Sequence, residues 1–220
     1  MINRQAALLG GGLIFGMLIA GLWTIAVLPP NAHIATHWGV DGHPNGWMNK
    51  WLGLLTVPAV AALVWGLIAI IPSIDPRGAN LARSPGAYGV IWVGSMAMTT
   101  LAQAVIIAAA MGFEVDVTRL MSAALGVLFI FIGNVLGKIR SNYFVGFRTP
   151  WALQDERVWD KTQRFGGRAL VACGFIILIA AFAAPARIAF ATAVLATVAG
   201  ISVTVLKSYF FWRDRQREQT

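Results

Sequence analysis

Charged residues are scarce in this sequence. Lys, Arg, Asp and Glu make up 12% of the 220 residues, whereas 58% of the residues are hydrophobic. An ordinary globular domain carries about 25% charged residues, and a soluble fold of this length has too little interior to bury so much apolar surface. The scarcity of charge therefore excludes an ordinary soluble domain and indicates a protein that lies in a membrane.

Residues that carry enzymatic chemistry are also few. The single cysteine, Cys173, cannot form an intramolecular disulfide, and the three histidines all lie in one loop, at positions 33, 37 and 43. The sequence has no HExxH motif, no GxSxG motif and no pair of aspartates within an apolar run. These absences predict a protein that is not an enzyme and that holds no cofactor.

Six long apolar segments separate the charged stretches. Each is close to the length of about 20 residues that spans a bilayer core, although the fifth is short. They cover residues 6–28, 51–71, 88–111, 120–139, 169–184 and 188–206. Because the bilayer core offers no water to the backbone, each segment is predicted to be helical. The predicted fold class is an all-α integral membrane protein, built as a bundle of six transmembrane helices.

The distribution of cations predicts the orientation. Of the 17 Lys and Arg residues, all but Lys50, Arg119 and Arg187 fall on the side of the two termini. The positive-inside rule then places both termini in the cytoplasm and the protein in the inner membrane. The net charge of +8 is explained by anionic inner-leaflet lipid, so the bilayer is the expected partner and direct binding of nucleic acid is not expected.

The chain is predicted to form a single membrane domain over residues 1–220. Within it, residues 1–75 form an N-terminal two-helix unit whose outer loop covers residues 29–50. Residues 120–207 form a second unit whose inner loop covers residues 138–168. These two loops carry most of the polar residues that could have a function.

The histidines of the outer loop raise the question of a metal site. His33 and His37 are four residues apart, so on a helical turn they would share a face and could bind zinc together with Asp41. Gly39 and Gly42 oppose a continuous helix, and spacing alone is a weak motif. The favoured interpretation is therefore a loop without a metal.

Turn-forming pairs and tryptophans mark the rest of the outer loop. Asp41-Gly42 and Asn45-Gly46 predict a compact, ordered loop, and Trp38 and Trp47 are typical of interfacial anchors. The alternative is that the loop engages a peptide that arrives from outside. The candidate binding residues on this side are His37, Trp38, Gly42, Pro44, Trp47 and Lys50.

The inner loop has the pattern of an amphipathic helix. Thr149-Pro150 is a typical N-cap followed by the first helical residue, and Trp151, Val158 and Phe165 recur every seven residues. Gly166-Gly167 is expected to end the helix. The sequence thus predicts an interfacial helix on the inner membrane surface between the fourth and fifth transmembrane helices, either as an anchor or with its charged face towards a cytoplasmic partner.

Arg148 precedes this helix and is the strongest functional candidate of the inner loop. Its guanidinium could pair bidentately with a lipid phosphate, a carboxylate or carbonyls at the end of the fourth helix. Asn134 and Asn142 are close enough in sequence to complete a polar cluster that closes the inner mouth of the bundle, and lysine could not replace the planar fork. The candidate binding residues here are Asn134, Lys138, Arg140, Asn142, Tyr143, Gly146, Arg148, Thr149, Pro150, Trp151, Trp159 and Thr162.

Small residues at four-residue spacing predict where helices approach closely. Gly12, Gly16 and Ala20 would line such a face on the first helix, and Gly133 and Gly137 would line another at the end of the fourth.

At the two loops the sequence resembles the SdpI family of bacterial membrane proteins. The outer loop from Ile34 to Lys50 is similar to an uncharacterised domain that often precedes this family; the similar residues are Thr36-His37-Trp38, Gly42, Pro44 to Trp47 and Lys50. Two positions depart from these patterns: Ala35 stands where proline is usual, and Gln163 stands where histidine is frequent. The inner-loop signature comprises Gly133-Asn134, Lys138 to Arg140, Asn142 to Gly146, Arg148 to Trp151, Leu153, Val158-Trp159, Lys161-Thr162 and Gly166-Gly167.

The resemblance implies an immunity and signalling protein that protects the inner membrane against an antimicrobial or depolarising peptide. It implies two partners, a secreted toxin peptide on the outer side and a cytoplasmic repressor on the inner side. A small transporter or channel of unknown substrate is the alternative, although the spans lack the charged residues that such pathways usually show. An intramembrane enzyme is the least favoured class.

Overall fold

The computed structural model describes residues 3–218 and is mostly helical. Six of its helices are long and apolar enough to span a membrane, which confirms the six predicted spans. The elements in chain order are α1 (Arg4–Val27), β1 (His33–Trp38), β2 (Pro44–Asn49), α2 (Lys50–Ile74), α3 (Gly78–Ala82), α4 (Pro85–Ala110), α5 (Val117–Leu136), α6 (Pro150–Gln154), α7 (Glu156–Ala183) and α8 (Ala186–Arg217). The candidate spans are α1, α2, α4, α5, α7 and α8.

The long helices pack as two groups of three. Helices α1, α2 and α4 contact one another, as do α5, α7 and α8, and α4 packs against α5 between the groups. Tyr88 and Trp92 of α4 are buried among α1 and α2 in the first group. At the end of the molecule that holds the 138–155 loop, Val158 and Trp159 of α7 pack with Ala87 of α4, which ties the two groups together.

Glycines set the distance between α5 and α7. A Cβ atom on Gly133 would lie 2.5 Å from the carbonyl oxygen of Gly167, and one on Gly167 would lie 2.5 Å from that of Gly133. The predicted close approach at Gly133 is thus confirmed. The prediction for the first helix is wrong, because a Cβ on Gly12 or Gly16 would meet nothing within 4 Å. Those two glycines face away from the protein.

The loop between α1 and α2 folds as a β-hairpin. Strands β1 and β2 are antiparallel, with His33 opposite Asn49 and Ala35 opposite Trp47, and the register shifts around His37. Gly42 has a φ of +82° in the turn, a conformation that glycine adopts without strain. The prediction of an ordered loop is confirmed, but the all-α fold class missed these strands, and the two histidines lie on a strand rather than on a helical turn.

The predicted interfacial helix is wrong in its extent. Helix α6 has five residues, and Asp155, in an extended conformation, separates it from α7. Helix α7 then continues through Gly166-Gly167 to Ala183. The glycines do not end the helix because they allow close packing: Gly167 lies against α5, and Gly166 lies against Phe147 and against Thr204 of α8. Val158 and Trp159 are fully buried, so the apolar face of this segment packs on protein. The Thr149 cap is confirmed, since its side chain accepts from the amide of Ala152.

Candidate functional site

The polar side chains of the hairpin bond mainly to one another. The ring Nδ1 of His37 is hydrogen bonded to Oδ1 of Asn45 across the two strands. The amide of His43 donates to Oδ1 of Asp41 at 3.1 Å, and this bond lowers the pKa of the Asp41 carboxyl below its usual value. Among residues 3–218, no group of three or more His, Cys, Asp or Glu side chains could hold a metal ion.

Lys50 has a structural position at the base of the hairpin. Its side chain is buried, and Nζ donates to the carbonyl oxygens of Ile25 and Leu28, both at 2.9 Å. These carbonyls lie at the end of α1, where the helix has no amide donors left for them. The ammonium also interacts favourably with the negative end of the helix dipole. Lys50 therefore fixes the hairpin to α1.

The other predicted residues of the outer loop remain accessible to different extents. Trp47 is 59% exposed, whereas Trp38 is half-buried and packs on the cluster around Ile34. Pro44 is exposed at the start of β2, and Gly42 is half-buried in the turn. The hairpin thus presents Trp47 outwards and uses Trp38 to rest on the helices.

A cleft of about 710 Å³ lies beneath the hairpin. His37 and Trp38 border it, and α4, α5 and α8 supply a mainly apolar wall. Thr118 and Ser122 of α5 also line it, although these residues are only 7% and 5% exposed. Neither hydroxyl is hydrogen bonded to any residue in the range 3–218. The cleft thus combines an apolar wall with two hydroxyl groups that could bind a ligand.

The inner loop is attached to the first group of helices through Asp75 and Arg77. Oδ2 of Asp75 accepts from the amide of Tyr143 at 2.9 Å, and Oδ1 accepts from the amide of Arg77 at 2.7 Å. The guanidinium of Arg77 donates to the hydroxyl of Ser141 and to the carbonyl of Leu153, and it lies 4.9 Å from the centre of the Tyr143 ring. The sequence analysis missed both Asp75 and Arg77. The pattern that could have indicated them is a pair of charged residues at the end of an apolar run.

The predicted polar cluster of Arg148, Asn134 and Asn142 does not form. Arg148 is exposed and donates from one nitrogen to the carbonyl of Tyr143 at 2.8 Å. Asn134 donates at 2.8 Å to Ile130 of its own helix. Asn142 is fully buried and bonds only within its loop. These bonds, together with Gly146 at a φ of +103°, shape the turn.

Three other predicted residues converge on Ser208 of α8. The Thr149 hydroxyl lies 2.7 Å from the Ser208 hydroxyl, Trp151 Nε1 donates to it at 2.6 Å, and Thr162 donates to it at 3.1 Å. Ser208 is fully buried, and this convergence fixes α6 and α7 to α8. The sequence analysis missed Ser208. The pattern that could have indicated it is a single hydroxyl residue directly before an aromatic run.

Gln163 holds the loop by a two-point contact. Its Oε1 accepts from the amide of Phe147 at 3.0 Å, and its Nε2 donates to the Phe147 carbonyl at 2.9 Å. Trp159 makes a comparable contact, because its Nε1 donates at 2.7 Å to the carbonyl of Ile139. The sequence analysis noted Gln163 only as a departure from a family pattern. Its fully buried amide satisfies both polar groups of Phe147.

The remaining predicted residues of the inner loop are exposed. Pro150 is the first residue of α6, and Tyr143 lies under the guanidinium of Arg77. Lys138 and Arg140 both follow the end of α5, and their side chains are exposed.

Two separate segments of the chain, one around the hairpin and one around the inner loop, match known protein families. Residues 138–209 match the SdpI/YfhL protein family, and residues 12–62 match a domain of unknown function, DUF1648. The chain is 34% identical over 103 residues to a protein named Immunity protein SdpI from Bacillus subtilis (strain 168). The alignment covers 47% of this chain and 49% of that relative, so the chain spans about half the length of the relative. No solved structure matches.

Residues 12–62 contain the hairpin, and residues 138–209 contain α6, α7 and most of α8. The predicted resemblance to the SdpI family is thereby confirmed over residues 138–209, which contain the signature from Lys138 to Gly167 but not Gly133-Asn134. The protein thus has six helices that are long and apolar enough to span a membrane, and its segment at residues 138–209, which matches the SdpI/YfhL family, follows a segment at residues 12–62 that matches DUF1648.

Proposed function

We propose that this chain is a non-enzymatic immunity and signalling protein of the bacterial inner membrane. It protects that membrane by binding an antimicrobial or depolarising peptide. The observation that carries the proposal is the 34% identity to a protein named for immunity. The SdpI/YfhL match over residues 138–209 supports the same conclusion.

In this proposal both termini lie in the cytoplasm and the hairpin lies outside. The basis is the positive-inside distribution of Lys and Arg. The cleft beneath the hairpin then opens towards the outer leaflet, where a peptide would arrive. Its apolar wall suits an apolar helix, and the hydroxyls of Thr118 and Ser122 can bond to polar groups that the peptide carries into the bilayer.

The signalling part of the proposal concerns the opposite end of the molecule. There the first turns of α7 expose Arg157, Asp160 and Lys161, and these charges form a surface for a cytoplasmic repressor. Arg157→Ala should leave folding and protection intact and reduce only the recruitment of that partner.

The test is a deletion strain that is challenged with membrane-depolarising peptides while its membrane potential is recorded. Wild-type protein should restore the potential, and Ser122→Phe should not, because the larger side chain fills the cleft. Leu120→Phe is the matched control, since Leu120 is exposed on the same helix and lies outside the cleft. Equal depolarisation with and without the wild-type protein, for every peptide tested, would overturn the proposal.

A further inference from the structure

A second cleft lies between α5 and α7, at the end where α5 gives way to the inner loop. Its volume is about 720 Å³. Its floor is concave because the crossing of the two helices is built from glycines, which project no side chain into it. The lining residues are Gly133, Asn134, Gly137, Lys138, Arg164, Gly167, Arg168 and Val171.

Three cations surround this cleft without an acidic partner. Lys138, Arg164 and Arg168 line it, and no Asp or Glu does. All three side chains are exposed, and none takes part in an ion pair with any residue between 3 and 218. Three like charges around one cavity repel one another, and an anion in the cavity would remove that repulsion.

The position of the cleft decides which kind of anion fits. It lies between two candidate membrane spans, beside the point where the apolar part of α5 ends. Val171 lies one turn of α7 beyond Arg168, on the side of the apolar segment. A basic rim above an apolar continuation matches a molecule with a phosphate head and hydrocarbon tails. Basic pockets between membrane helices commonly bind such headgroups.

We propose that this cleft binds the phosphate headgroup of an anionic phospholipid. The lysine supplies a point charge, and the two arginines supply planar donors that match phosphate oxygens. The Cγ atom of Arg164 lies over Gly137, where a side chain on the glycine would crowd it. The bound lipid would cover the α5–α7 crossing, where Gly133, Gly137 and Gly167 contribute no side chains to the cleft.

The proposal is tested on the purified full chain by native mass spectrometry with added phosphatidylglycerol or phosphatidylcholine. One bound phosphatidylglycerol should survive at a lipid concentration that leaves no phosphatidylcholine bound. Each lost charge should weaken binding roughly fivefold, from about 1 kcal/mol for each basic residue near anionic lipid. The triple variant Lys138→Gln, Arg164→Gln, Arg168→Gln should therefore bind about 100-fold more weakly.

The matched control removes three exposed cations that do not line the cleft, with Arg83→Gln, Arg157→Gln and Lys161→Gln. This variant should keep the bound phosphatidylglycerol. An equal loss in both triple variants would overturn the proposal, because the effect would then be one of summed charge.

Two further measurements distinguish the remaining outcomes. Asn134→Trp keeps every charge but fills the cleft, so it should displace the lipid even if the triple variant does not fold. Inorganic phosphate at millimolar concentration should not compete with phosphatidylglycerol. Competition by phosphate, or lipid retained in Asn134→Trp, would show that the cleft is not a site for a phospholipid.

Discussion

The hairpin joins α1 to α2, and the inner loop joins α5 to α7. Both connect long helices, but they are held in place differently. The hairpin is stabilised by its own strand ladder, by the apolar packing of Ile34 and Trp38 on the helices and by the buried cation Lys50. The inner loop has no strands, and its polar groups at Tyr143, Phe147 and Thr149 bond to buried side chains at the helices around them. These side chains are Asp75 at the end of α2, Gln163 in α7 and Ser208 in α8. The hairpin can therefore change its exposed residues freely, whereas the inner loop depends on distant residues.

The largest effect is expected at Gly133, in the helix that leads into the inner loop. Gly133→Leu places a side chain 2.5 Å from the backbone carbonyl of Gly167. Because backbone atoms cannot move aside cheaply, the free energy of unfolding should fall by about 3 kcal/mol or more. Denaturation of the purified protein in detergent measures this change. Gly12→Leu is the control and should have almost no effect, since nothing lies within 4 Å of that position.

Gln163→Leu removes the two-point contact with Phe147. It leaves a backbone amide and a carbonyl buried without partners, and each costs about 1–3 kcal/mol. We expect a loss of about 3 kcal/mol in thermal or denaturant unfolding, together with faster proteolysis of the inner loop. Asn134→Leu is the comparison, because Asn134 is exposed and bonds only to its own helix. Equal stability of the two variants would show that Gln163 does not anchor the loop.

Lys50→Met tests the hairpin in the same way. The methionine fills similar space but cannot donate to the carbonyls of Ile25 and Leu28. Hydrogen bonds to a charged group are worth about 1.5–3 kcal/mol, so we expect a loss of about 2 kcal/mol. Hydrogen exchange should increase at the end of α1 and in the hairpin but not in the inner loop. Lys161→Met, at an exposed position, should change neither region.

Asp155 gives the inner loop a pH dependence. Burial raises the pKa of its carboxyl, but bonds from the amides of Val158 and Arg157 and from Arg215 outweigh burial, so the pKa lies below its usual value. Its contribution to stability is therefore present above the unfolded pKa of about 3.9 and is lost as the pH falls through the lower native value. Asp155→Asn should cost about 0.5–1 kcal/mol at pH 7.

The test is the difference in unfolding free energy between Asp155→Asn and the wild type, measured from pH 7 down to acid. That difference should shrink as the native carboxyl becomes protonated. A difference that stays constant with pH would show that the carboxylate charge does not stabilise the loop. Asp160→Asn is the control, because Asp160 is exposed and takes part in none of these bonds.

The smallest effect is expected at Arg148. Its one hydrogen bond to Tyr143 can also be made by a lysine ammonium, so Arg148→Lys should cost less than about 0.5 kcal/mol. The sequence analysis expected lysine to fail here because it assumed a bidentate partner. A protection assay that finds Arg148→Lys as inactive as Arg148→Ala, at equal expression, would restore that assumption and indicate a partner outside this chain.

Particular residues show how far sequence reasoning reached into the candidate site. Thr149, Trp151 and Thr162 were predicted as binding residues of one loop, and the structure joins them through Ser208, which lies 46 to 59 residues away along the chain. Asn134, Asn142 and Arg148 were grouped because they are near in sequence, and the fold gives each of them a separate partner. Proximity along the chain does not decide which polar groups meet once long helices cross.

The sequence by itself determined the six spans and the Thr149 cap, because both depend on local properties: the length of an apolar run and the bonding of a side chain to an amide three residues on. Only the tertiary structure decided that α7 continues through Gly166-Gly167. Glycine is a poor helix former when nothing packs on it, but here neighbouring atoms leave no room for a side chain. The Gly133 carbonyl of α5 lies against Gly167, and the Phe147 ring and Thr204 of α8 lie against Gly166. Packing against a distant helix therefore outweighs the local tendency to stop.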